Sequence, residues 1–124
     1  MPLVLIIDDN ELNRKLARDV LGAAGFHTVE AANGTEGIRL AAAHLPHVIL
    51  MDLRLPDMNG VDAAKALMQD QRTARIPVVA MSALSLEGSG DWLETAGFAG
   101  SLEKPIHVDS FPEQVRRFCT APSG

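Results

Sequence analysis

The sequence predicts a doubly wound α/β domain, a parallel sheet with helices on both faces. Three observations carry this. Short apolar runs alternate five times with helical patterns along 124 residues. One run, Val48–Met51, is apolar at every position and too short for a membrane span, so it suits a strand buried on both faces. Polar residues able to do chemistry close four of the runs: Asp8 and Asp9, Asp52, Ser82, and Lys104.

Leu3–Ile7 reads as the first strand. Asp9 or Asn10 caps the next helix, where Leu12, Leu16 and Val20 recur at i, i+4 and i+8 beside Leu21 and Ala24. Gly25 ends it. His27–Ala31 is a weaker second strand, nearer an edge, and Asn33-Gly34 is a turn. Glu36 to His44 reads as a helix with Ile38, Ala41 and Ala42 inward, stopped by Pro46. The third strand carries Asp52, and Pro56, Asn59 and Gly60 mark the loop beyond it. Asn59 caps a helix whose inner face is Val61, Ala64, Leu67 and Met68. Ile76 to Met81 is the fourth strand, with Pro77 tolerated at its start. A weak, glycine-rich helix runs from about Gly88 to Ala96, each glycine costing roughly 1 kcal/mol against alanine. Phe98 to Leu102 is a short fifth strand. Ser110 and Glu113 have capping-box spacing before the last helix, with Phe111, Val115, Phe118 and Cys119 inward.

Composition narrows the function classes. The length gives one domain, residues 1–119, with a small polar tail at 120–124 that is either a true end or the stub of a linker. The net charge of −5 argues against nucleic acid as a direct partner. A single cysteine, Cys119, excludes an internal disulfide and fits a reducing compartment. The sequence has neither a signal-peptide pattern nor an apolar stretch long enough to span a membrane, so a cytoplasmic location is expected.

An acid at the carboxyl end of a buried strand faces the crevice where open α/β sheets bind ligands. If the sheet has the order 2-1-3-4-5, the first and third strands flank the switch point and Asp8, Asp9 and Asp52 meet there. Like charges that close repel one another, and a hard dication resolves the conflict. Lys104 then supplies a fixed positive charge and Ser82 a hydroxyl. Carboxylate nucleophile, dication, ammonium and hydroxyl are what phosphoryl transfer to an aspartate requires. Each residue also has an ordinary use: helix-capping acids for Asp8 and Asp9, strand ends for Asp52 and Ser82, a surface lysine for Lys104. Their joint placement on one rim favours the chemical reading.

The chain resembles the receiver domains of bacterial two-component response regulators. The matching pieces are I-I-D-D-N at Ile6–Asn10, M-D-L-R-L-P-D-M-N-G at Met51–Gly60, A-M-S-A at Ala80–Ala83 and L-E-K-P-I at Leu102–Ile106. The segments A-N-G-T-E-G around Asn33 and A-G-F-A-G around Gly97 also fit. The resemblance implies the flavodoxin-like order 2-1-3-4-5 with five helices. It implies that Asp52 accepts a phosphoryl group from a histidine kinase or phosphotransfer protein. Asp9, Asp52 and the backbone carbonyl of Arg54 would ligate Mg2+ directly, with Asp8 acting through a bound water. Ser82 would bond the phosphoryl oxygens, Lys104 would pair with them, and the Lys104–Pro105 bond would be cis. A stand-alone, docking receiver is implied, with an unknown downstream protein target.

The chain departs from the family pattern at one place. Receivers usually carry Tyr or Phe three residues before the lysine, and here that position is Ser101. The expected switch therefore falls on Ser82, Ser101 and the segment around Trp92, the single tryptophan. The resemblance implies that Arg54 and Leu84, two residues beyond Asp52 and Ser82, line the path of the water that attacks the acyl phosphate; an apolar Leu84 and a bulky Arg54 there lead to an expectation of slow self-dephosphorylation. Two other readings stand beside this one: a non-phosphorylated interaction module on the same fold, and the receiver portion of a larger hybrid kinase. A nucleotide-binding domain would need a glycine-rich loop where Asp8-Asp9-Asn10-Glu11 stands. A phosphatase of the D-x-D-x-T kind would need a second acid close to Asp52.

Overall fold

A computed structural model of the chain describes residues 2–82, 97–103 and 108–119. In chain order the elements are β1 (Leu3–Ile7), α1 (Glu11–Ala23), β2 (His27–Ala31), α2 (Gly34–His44), β3 (Val48–Asp52), α3 (Gly60–Gln69), β4 (Val78–Ser82), β5 (Gly100–Glu103) and α4 (Phe111–Cys119). The five strands are parallel and ordered β2-β1-β3-β4-β5. Four helices occur among the described residues. The helix expected over 88–96 and the tail at 120–124 lie outside them.

The apolar runs are continuous because both faces of the sheet are covered. Leu5, Ile7, Ile49, Met51, Val78 and Ala80 pack with Ala41 of α2 and Ala63, Ala64 and Leu67 of α3. Val4, Ile6, Val48, Leu50, Val79 and Met81 pack on the other face with Ala17 and Leu21 of α1 and Phe111 and Val115 of α4. Neighbours along a strand point to opposite sides, so the two cores alternate residue by residue. Each fully buried Val, Leu or Ile contributes about 1.5–3 kcal/mol.

Two helix faces differ from expectation. In α1 the buried residues are Ala17 and Leu21, while Leu12 is 75% exposed and Leu16 37%. Small Ala17 lets the helix axis sit close to the sheet, which rotates the leucine row towards solvent. In α3, Ala63 takes the buried place expected for Met68, which is half exposed and reaches over Gly97. Both ends of β4 and β5 also shift, from Ile76–Met81 to Val78–Ser82 and from Phe98–Leu102 to Gly100–Glu103. β4 begins at Val78 because Pro77 has no N–H to give to a ladder, and β5 runs to Glu103.

The caps explain the remaining boundaries. The Asn10 side chain accepts from the amides of Leu12 and Asn13 at the start of α1. At its end Gly25 takes φ 96°, with Phe26 N–H donating to the Leu21 carbonyl and Gly25 N–H to that of Gly22, a Schellman closure that needs glycine. α2 closes with a leucine in the same left-handed region. Leu45 has φ 48° and ψ 62°, its N–H donates to the Ala41 carbonyl, and its side chain is 54% exposed.

A branched side chain in that conformation is strained and gains little by burial here. Leu45→Asn is expected to raise the unfolding free energy by about 0.5–1 kcal/mol in a denaturant titration, because asparagine tolerates the left-handed region. A loss of stability of that size would show that Leu45 packing outweighs the backbone strain.

Candidate functional site

The site begins with strand register. Ile7 of β1 stands opposite Met51 of β3. Asp8 and Asp52 are the next residue on each strand, so they reach the carboxyl edge of the sheet side by side. Asp9 follows at the turn into α1. Carboxylate oxygens of Asp8, Asp9 and Asp52 all lie within 4.8 Å of one another. Asp8 is 4% exposed, Asp52 half-buried and Asp9 exposed, so the cluster is anchored inside and open outside.

Local hydrogen bonds aim these acids. Asp8 N–H donates to the Ala31 carbonyl of β2 at 3.1 Å. One Asp8 carboxylate oxygen accepts from Asn10 N–H at 2.9 Å, and one of Asp52 accepts from Arg54 N–H at 3.0 Å. Both are short side-chain-to-backbone turns that hold a carboxylate over the loop following its strand. Arg54 also bridges to Asn59 across the loop, and Gly60 N–H donates to the Leu53 carbonyl at 2.9 Å. A side chain at Gly60 would place its Cβ 2.9 Å from both the Asp52 carbonyl oxygen and Leu53 Cα. The start of α3 therefore lies directly against the strand end that carries Asp52, and glycine permits that approach.

A second set of contacts ties this loop to α2. The Asp57 carboxylate accepts from Gly34 N–H at 2.8 Å, Thr35 N–H at 2.9 Å and the Thr35 hydroxyl at 2.6 Å. The neighbouring Met58 side chain occupies the space that a Cβ at Gly34 would need. Asn33 already caps α2 by accepting from Glu36 N–H, so the first turn of this helix is satisfied from two loops. The Thr35 hydroxyl, then the Thr35 and Gly34 amides, hold Asp57 down to about 2. The sequence motif marked Asp57 as a loop residue only, because its partners lie more than twenty residues earlier and no local pattern names them.

The predicted site residues divide by where they fall. Asp8, Asp9 and Asp52 come together, and Arg54 follows in the loop with its side chain exposed. Ser82 ends β4, where Asp52 pairs with Met81 one residue before it. Ser101 is exposed in β5 opposite Ala80. Lys104, Pro105, Leu84 and Trp92 lie outside the described residues. Three carboxylates on two adjacent strand ends, open to solvent on one side, form an all-oxygen donor set that suits Mg2+, a hard ion that takes few carboxylates and keeps waters. Among the described residues this is the cluster able to hold a metal, and no described helix is long and apolar enough to cross a membrane.

The sheet order and the acidic cluster at its carboxyl edge together define a receiver-type domain. Residues 4–116 match the response regulator receiver domain, and the chain belongs to that family. Receiver domains are signalling phosphoacceptors in two-component pathways rather than conventional enzymes. The polar-differentiation response regulator DivK of Brucella anthropi is 38% identical over 115 residues, which cover 93% of this chain and 94% of DivK. The chemotaxis response regulator CheY4 of Vibrio cholerae superposes with a TM-score of 0.85 at 26% identity, covering 95% of this chain and 98% of CheY4. The receiver domain of the sensor histidine kinase PA1611 of Pseudomonas aeruginosa has a magnesium ion coordinated in its active-site cleft. It matches with a TM-score of 0.86 and 26% identity over 97% of this chain and 98% of its own.

The Asp57 clamp has a pH signature. A folded-state pKa below the ordinary 3.8 means that the clamp stabilises the fold fully above that value and is lost as pH falls towards about 2. Wild type should exceed Asp57→Asn in unfolding free energy at neutral pH, and the difference should shrink across that window. A difference that stays constant down to pH 2 would show that the carboxylate charge at Asp57 does not drive the contact.

Proposed function

We propose that this domain receives a phosphoryl group on Asp52 from a histidine kinase or phosphotransfer protein, and that the modified domain signals by docking to a downstream protein. The observation that carries the reading is the convergence of Asp8, Asp9 and Asp52 within 4.8 Å at the boundary between β1 and β3. Asp52 is assigned as the nucleophile of the three on its place in the receiver motif M-D-L-R-L-P-D-M-N-G, and one of its oxygens accepts from Arg54 N–H. In the transfer, the bond from phosphorus to the donor nitrogen breaks and a bond to an Asp52 carboxylate oxygen forms. The carboxylate attacks ionised, so no proton leaves it.

Asp9, Asp52 and the Arg54 carbonyl would hold Mg2+, with Asp8 one water away. The bound dication supplies charge to offset the phosphoryl oxygens. Asp8 sets the inner wall of the site, Asp9 its open side, and Gly60 and Asp57 fix the loop that presents Arg54. Lys104 and Ser82 are assigned to the phosphoryl oxygens on the sequence motifs L-E-K-P-I and A-M-S-A. With Ser101 exposed on β5 in place of an aromatic ring, the responding element is assigned to the helix expected from Gly88 to Ala96, which carries Trp92. The domain assignment is 1–119, in the cytoplasm, without nucleic acid or membrane as partner.

Acetyl phosphate with Mg2+ is expected to add one phosphoryl mass to the intact protein, and Asp52→Asn to abolish it. A mass shift that persists in Asp52→Asn would move the acceptor elsewhere. A second expectation follows from repulsion in the metal-free cluster, worth about 1 kcal/mol per pair at such distances in a water-like medium. Asp9→Asn should weaken Mg2+ binding by calorimetry while the unfolding midpoint holds or rises. Unfolding of Asp9→Asn with Mg2+ binding retained would make these acids helix caps.

A further inference from the structure

Behind the acidic cluster lies a charged array that the metal and phosphoryl assignments do not use. Arg14, one turn into α1, sends its guanidinium back under the β1 edge, where Nη1 donates to the Asp8 carbonyl at 2.6 Å. Its Nε lies 3.4 Å from Oε1 of Glu30 on β2. The other Glu30 oxygen is 3.0 Å from Arg18 Nη1. The Arg14 side chain is 17% exposed and that of Glu30 26%, so both are more enclosed than a typical surface pair. Elsewhere among the described residues, Arg72–Asp70 and Arg117–Glu113 join near neighbours in the chain, with both arginines largely exposed. The Arg14–Glu30 pair instead links α1 to β2 and ends on the backbone of a metal-site residue.

The consequence lies in the peptide between Asp8 and Asp9. Strand pairing fixes the Asp8 amide, which donates to Ala31. The Asp8 carbonyl lies beyond the paired register of β1, which ends at Ile7, so strand pairing does not set its direction. The Arg14 guanidinium bonds it at 2.6 Å and so helps to set it. A carbonyl direction fixes the plane of its peptide, and that plane sets where the Cα of Asp9 stands. Arginine suits the task because its rigid fork serves Asp8 and Glu30 at once, which a single ammonium does not reproduce.

We propose that Arg14, oriented by Glu30, is a positioning residue for the metal site: it locks the Asp8–Asp9 peptide so that the Asp9 carboxylate meets those of Asp8 and Asp52. This rests on the reading of the three acids as the Mg2+ site. The sign of one effect separates positioning from simple charge. A cation beside the site repels Mg2+, so if Arg14 acted only through its charge, its removal would tighten Mg2+ binding. If it positions Asp9, its removal weakens binding in spite of the lost repulsion.

The test is calorimetric titration of Mg2+ alone into wild type, Arg14→Met and Glu30→Gln, each with its unfolding midpoint. Both variants are expected to bind Mg2+ more weakly, Arg14→Met by about 10-fold, the scale of lost outer-shell support. Hydrogen exchange at the Asp9 and Asn10 amides should accelerate in both. A lowered midpoint with Mg2+ affinity and amide exchange unchanged, or tighter binding in Arg14→Met, overturns the proposal. Loss of the Glu30 charge would by itself weaken Mg2+ binding, so if Arg14→Met does not fold, hydrogen exchange at the Asp9 and Asn10 amides of Glu30→Gln decides the matter: unchanged exchange overturns the proposal. Equal Mg2+ binding in wild type and Asp52→Asn would instead remove the metal-site reading itself, and the positioning role with it. Asp52→Asn that binds weakly beside an Arg14→Met that binds like wild type would remove the positioning role alone.

Discussion

β1 and β3 lie side by side with Ile7 opposite Met51, and the chemistry at the rim depends on that register. One step further along each strand stands an aspartate. Register is strong because each strand is sealed on two faces: Val4 to Ile7 and Val48 to Met51 are all no more than 4% exposed. A slip of one residue would exchange the two cores along the whole strand. Several buried aliphatic side chains at about 1.5–3 kcal/mol each outweigh the repulsion of three carboxylates, at about 1 kcal/mol per pair in a water-like medium. The fold therefore holds the acids together against their mutual repulsion, and a dication gains from a site already assembled.

Around this pair the loops are tied by contacts of long sequence separation. Asp57 reaches back to Gly34 and Thr35, and Arg14 connects Asp8 to Glu30. Gly60 brings α3 against the Asp52 carbonyl. The rim is thus braced from α1, α2 and α3, while its acids come from two strand ends. Rigid supports around a small ligand set are what a metal site needs to select geometry rather than mere charge.

The fold was legible because its main signals are local. A run such as Val48–Met51 buried on both faces reads as a parallel strand without further context, and Asp8, Asp9 and Asp52 announce themselves by closing such runs. Helix faces were less legible. Leu12, Leu16 and Val20 form a sound stripe on paper, yet the small Ala17 wins the contact with the sheet and leaves Leu12 and Leu16 exposed. Met68 lost its place to Ala63 for the same reason, since close helix–sheet approach favours small side chains over long ones. The braces were not legible at all. Neither Arg14 nor Asp57 lies in a pattern that names its partner, and the pairing exists only once β2 and α2 are folded against β1.

The most direct test of a single dication site at the β1–β3 boundary is paramagnetic broadening by Mn2+ in a two-dimensional amide spectrum. Substoichiometric Mn2+ should first erase the amide signals of Asp8, Asp9, Asp52, Leu53 and Arg54, and excess Mg2+ should restore them. Broadening centred on Asp57 or Asp62, or spread evenly over the acidic surface, would contradict the account.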